Sequence, residues 1–90
     1  MLSNKEISLA LSSLDDWSFS NNKIHKNFSF NTYMDGIAFV NQLAKIAEEN
    51  NHHPDIIINY KRISIRYWTH TASGVTLADI QMAQKIDPLF

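Results

Sequence analysis

Apolar residues recur along the chain at two spacings, one suited to a helix and one to a strand, and the chain switches between them from segment to segment. Ser3 and Glu6 have the spacing of a capping box, with Leu2 and Ile7 placed as a hydrophobic staple around it, which predicts a helix from Asn4. Ile7, Ala10, Leu11 and Leu14 form its stripe, and Asp15-Asp16 is the predicted stop. Trp17 and Phe19 then alternate with Ser18 and Ser20, Ser20-Asn21-Asn22 has turn chemistry, and Ile24, Phe28 and Phe30 alternate with His25, Asn27 and Ser29, which reads as a hairpin. His25 falls on its polar face and reads as a solvated strand residue. Thr32 and Asp35 form a second capping pair ahead of Ile37, Val40, Leu43, Ala44 and Ala47. The helix they predict, from about Tyr33 to Glu49, is roughly 25 Å long. It must stop before Pro54, which disfavours helical geometry at His53. A second hairpin follows, Ile56 to Tyr60 and Ile63 to Thr69, closing near Lys61-Arg62. Ile63, Ile65 and Tyr67 share one face; Ser64, Arg66 and Trp68 share the other. Ala72-Ser73-Gly74 reads as a loop, Thr76 as the cap of a third helix with the stripe Leu77, Ile80, Ala83 and Ile86, and Asp87-Pro88 as its end.

The order α-β-β-α-β-β-α predicts an α+β fold: a four-stranded antiparallel sheet with three helices packed on one face. Its 90 residues, 44% hydrophobic and with two glycines and two prolines, are read as a single domain over 1–90. So short a chain leaves about a third or more of its surface in water, which makes subunit association a natural source of added stability. A formal charge of -1 with scattered lysines and arginines gives no basic stripe for a phosphate backbone, so no direct nucleic-acid contact is expected. Without cysteine there is no thiolate nucleophile, disulfide or cysteine-held zinc. No apolar run approaches the ~20 residues that cross a bilayer, and Met1 to Glu6 lacks a signal-peptide pattern, so no membrane contact and a cytoplasmic location are expected.

Candidate chemistry gathers between Glu48 and Asp79. His52 and His53 follow the second helix, and His70 ends the second hairpin; a hairpin of two short strands returns the chain to where it began, so the three imidazoles can share one mouth. Imidazole both gives and takes a proton near neutral pH, which points to proton-transfer chemistry or a metal. Adjacent residues in extended backbone point in different directions, so one histidine of the pair can react while the other positions. Each residue also has a plainer use: the pair as a polar helix C-cap, Asp79 as the carboxylate of a capped N-terminus, Glu48 and Glu49 as solvated helix carboxylates. Their joint spacing favours a site. A metal is the weaker option, because no helical HExxH is present and a tandem pair is a poor chelate.

Glu48-x3-His52-His53-Pro54, followed by Tyr60, His70 and Asp79, resembles the signature of the pterin-4a-carbinolamine dehydratases, a family of this size and element order that commonly carries a tryptophan where Trp17 stands. The resemblance implies dehydration of 4a-hydroxytetrahydropterin to quinonoid dihydropterin, with no metal or organic cofactor, in the recycling of the pterin used by aromatic amino acid hydroxylases. It implies His52, His70 and His53 as the catalytic set, with His52 as base toward N5, His70 as acid toward the departing hydroxyl and His53 also holding the pterin. Glu48 and Asp79 would orient imidazoles or contact the ring, with Asn51 and Pro54 beside them in the binding set. Where some members carry an acidic residue before the histidine pair and an aromatic two residues after the proline, this chain has Asn51 and Ile56. The resemblance also implies a homo-dimer or homo-tetramer. Animal members double as dimerisation cofactors of a transcription factor; the alternative function, a non-catalytic interaction module, would use surplus apolar surface, for which Met82, Leu89 and Phe90 are candidates.

Overall fold

The computed structural model describes residues 1–90. Helix α1 spans Asn4–Leu11, strand β1 Ser18–Ser20, β2 Lys23–Ser29, helix α2 Tyr33–Glu49, β3 Asp55–Asn59, β4 Arg62–Tyr67 and helix α3 Leu77–Ile86. The strands form one antiparallel sheet in the order β1-β2-β4-β3. Alternation decides which face is covered. Ile24, Phe28, Ile63, Ile65 and Tyr67 are buried with Phe39, Leu43 and Ala47 of α2 and Ile80, Ala83 and Ile86 of α3. His25, Asn27, Ser64 and Arg66 occupy the opposite, open face, where Ser64 donates to Asn27 at 2.7 Å. The one cation on the covered face, Lys26, is neutralised by Asp87 at 3.0 Å, and Asp87 also accepts from the Trp17 indole at 2.9 Å. Trp17 is thus a core residue.

Ser3–Glu6 and Thr76–Asp79 form full capping boxes, whereas Thr32 accepts from the Asp35 amide without the reciprocal bond. Three predicted boundaries move. α1 ends at Leu11, ahead of Asp15-Asp16, because the Ser12 and Ser13 hydroxyls donate to the carbonyls of Leu9 and Ala10, a local competitor of helix continuation. The second hairpin turns at Tyr60-Lys61, one residue earlier than predicted, with Tyr60 in the left-handed region at φ 55°. β4 stops at Tyr67, and His70–Ala72 form a 3-10 turn held between Thr69 and Gly74, which bridge to each other.

The face of α3 is also rotated. Leu77 is exposed while Asp79 and Met82 are buried. Met82 is therefore core and Leu89 packs against the core, so neither is spare surface, while Phe90 lays its ring on Phe28, Phe30 and Phe39 and stays exposed. Other large exposed apolar side chains include Met34, Ile57, Ile58 and Tyr60. No helix is long and apolar enough to cross a membrane.

Candidate active site

The end of α2 aims the histidine pair. Asn51 takes a left-handed conformation at φ 47°, its amide donates to the Glu48 carbonyl at 3.2 Å, and the His52 amide reaches back to Ala47 at 3.0 Å. This is a Schellman closure of the helix, with asparagine in the place usually held by glycine. It turns the chain sharply, and Pro54 prevents any return to helix. Lys85 of α3 donates to Asn50 at 2.7 Å, tying the corner to its neighbour.

His52 is fixed from several directions. Its Nε2 lies 2.6 Å from Asp79 Oδ1, its carbonyl accepts from the Tyr67 hydroxyl at 2.8 Å, and its ring packs on Tyr67 with centroids 5.0 Å apart. Asp79 is fully buried; its Oδ2 accepts from the Thr69 hydroxyl at 2.8 Å and from the Thr76 amide at 2.9 Å. One carboxylate therefore caps α3 and holds the imidazole. An ionised carboxylate only accepts, so an ionised Asp79 takes its hydrogen bond from His52 Nε2–H, and in the neutral imidazole the lone pair is then on Nδ1. Burial, and secondarily the Asp79 charge, push the Tyr67 phenol well above its usual range, so it stays a donor.

His53 turns the other way and meets Glu48 at 2.6 Å, on a largely exposed pair (56% and 80%). His70 makes no side-chain hydrogen bond and stacks on Trp68, with centroids 4.4 Å apart and an interplanar angle of 25°. A cleft of about 310 Å³ is lined by Asn51, His52, His53, Trp68, Thr69, His70 and Thr71. The fold thus brings all three imidazoles and Asn51 to one opening. Asp79 lies behind it and Glu48 beside it, each touching a histidine and neither lining the cleft; Pro54 is half-buried outside the lining. No three histidine, aspartate or glutamate side chains are grouped to hold a metal ion. Trp68, Thr69 and Tyr67 escape the sequence reading. An aromatic and a hydroxyl immediately before His70 were the available signal for the first two, and only the cross-strand geometry reveals Tyr67.

The chain matches the family model described as pterin 4 alpha carbinolamine dehydratase over residues 1–89. It belongs to that family. A relative from Sulfurisphaera tokodaii, named "Putative pterin-4-alpha-carbinolamine dehydratase", is 39% identical over 88 residues, covering 98% of this chain and 95% of the relative. Among solved pterin dehydratase structures, a transcriptional coactivator/pterin dehydratase from Brucella melitensis superposes with a TM-score of 0.94 at 33% identity, over 98% of this chain and 96% of that one. A pterin dehydratase-like protein identified as a RuBisCO assembly factor in the alpha-carboxysome is more distant, with a TM-score of 0.67 and 26% identity over 81% and 84% of the two chains. The dehydratase fold therefore accompanies more than one described role.

Proposed function

We propose that this chain is a 4a-hydroxytetrahydropterin dehydratase that acts by histidine acid/base catalysis. The observation that carries the reading is the convergence of His52, His53 and His70 on one cleft, with His52 locked to a buried carboxylate. His52 Nδ1 removes the proton from N5 of the pterin, and the released electron pair forms the C4a=N5 double bond. The C4a–O bond breaks as His70 protonates the departing hydroxyl, which leaves as water. Hydroxide is a poor leaving group unless protonated, so a paired base and acid lower both barriers. Trp68 backs His70 by stacking on it, and His53 and Asn51 line the same cleft, where they would position a bicyclic ring. Homo-oligomerisation belongs to the same reading, supported by the edge position of β3 and its exposed Ile57 and Ile58. An aromatic amino acid hydroxylase is the proposed source of substrate.

The deciding assay follows loss of the 4a-hydroxypterin absorbance. Wild-type protein should accelerate it, and His52→Ala or His70→Ala should each slow the catalysed rate by about 10²-fold or more. A second reading, a non-catalytic interaction module, draws on the assembly-factor neighbour and on the exposed apolar residues near β3. Dihydropterin binding without any rate enhancement would favour it.

A further inference from the structure

The imidazole cleft does not end at Trp68. Trp68 and His70 also line a second cleft of about 290 Å³, on the side of the indole toward Asn21 and Lys23. Asn21 and Lys23 in turn line a third, of about 190 Å³, whose walls include His25 and Arg66 and no apolar residue. Each cleft shares two lining residues with the next, Trp68 and His70 and then Asn21 and Lys23, so the adjoining clefts form a trough leading from the site toward the open face of the sheet.

Sheet register explains why cations collect at its far end. His25 is paired with Arg66, and Ile24 with Tyr67, so continuing the ladder sets Lys23 opposite Trp68. Residues at alternate positions share a face, so Lys23, His25, Arg66 and Trp68 all project from the open side. Lys23 Nζ sits 4.3 Å from the centre of the Trp68 ring, which makes it the link between the trough's two ends. Lys23 and Arg66 have no carboxylate partner: the chain's ion pairs are Lys26–Asp87, His52–Asp79 and His53–Glu48. Asp55 faces Arg66 across the ladder from β3 but forms no ion pair with it. His25 is held in place by Ser20 at 2.9 Å.

We infer that the trough is a subsite for an anionic substituent, and that the pterin this protein takes carries a phosphate or carboxylate on its C6 side chain. The inference rests on the dehydratase reading and narrows its substrate class. With the ring beside Trp68 and His70, its substituent meets Lys23 directly across the ladder and Arg66 two residues along β4, about 7 Å away. Arg66 offers the planar fork that suits either anion, and Lys23 a point charge.

The test is fluorescence titration at low ionic strength with three unreactive dihydropterins: neutral 6-hydroxymethyl-7,8-dihydropterin, its phosphate monoester, and 7,8-dihydrofolate, whose carboxylates lie at the far end of its side chain. At least one anionic probe should bind about 10-fold more tightly than the neutral one, the scale of a charge-assisted contact. The preference should collapse in Arg66→Gln and survive in Arg66→Lys, with the neutral probe's Kd in each variant as the reference for a folded site. A winning ester assigns phosphate, and winning dihydrofolate assigns carboxylate. Equal affinity for all three probes in wild type, or a preference that persists in Arg66→Gln, overturns the inference and leaves the dehydratase reading standing. Failure of the neutral probe as well overturns both.

Discussion

Two histidine–carboxylate pairs stand side by side with nearly the same contact length, 2.6 Å each, yet they are built to opposite standards. In the His52–Asp79 pair the acid is fully buried, the imidazole 18% exposed, both carboxylate oxygens are engaged, Oδ2 by Thr69 and by the Thr76 cap of the same helix, and the imidazole packs on Tyr67. His53–Glu48 lies in solvent, bridges residues close in sequence, and has no further support. Equal distances therefore conceal unequal constraint. Buried charge-assisted contacts are costly to leave half-made, whereas exposed ion pairs contribute about 0–1 kcal/mol.

Breaking the buried pair should have the largest effect. Asp79→Ala strands the Thr76 amide and His52 together and takes one of the Thr69 hydroxyl's two partners, and should cost about 3 kcal/mol in chemical denaturation while lowering dehydration as far as His52→Ala does. Retention of wild-type stability would show that the carboxylate is not the joint described. Tyr67→Phe is milder: it removes the bond to the His52 carbonyl and should cost about 1 kcal/mol. Its pH signature sharpens the case. The folded phenol holds its proton more tightly than the unfolded one, which titrates near pH ~10, so this contribution is complete below that pH and is lost as pH rises above it. Wild-type melting temperature should fall through that alkaline range, and Tyr67→Phe should flatten part of the fall. Smallest is Glu48→Gln, expected to change stability by no more than about 0.5 kcal/mol, with a rate loss well short of that for Asp79→Ala. A loss matching Asp79→Ala would erase the contrast.

The element order and both capping boxes were legible because they depend on spacing within a few residues, as Ser3–Glu6 and Thr76–Asp79 illustrate. The meeting of His52 with His70 was legible because a hairpin returns its ends to the same place. What escaped depends on relations that spacing does not carry. Tyr60 is an aromatic in a left-handed turn position, so no residue type marked the corner. Asp79 looked like a helix cap and is one, but its second oxygen faces inward, which rotates α3, exposes Leu77 and buries Met82 against the simple apolar stripe. Trp68, placed on the outer face of its strand, lies just past the strand's end beneath His70. Its neighbours come from β2, far away in sequence.

Because one carboxylate both starts α3 and orients an imidazole, fraying of that helix and loss of the His52 anchor are a single event. Amide exchange at the start of α3 would then report on the molecules whose imidazole is still anchored. Heating or denaturant should leave no population in which the helix has let go and His52 keeps its orientation.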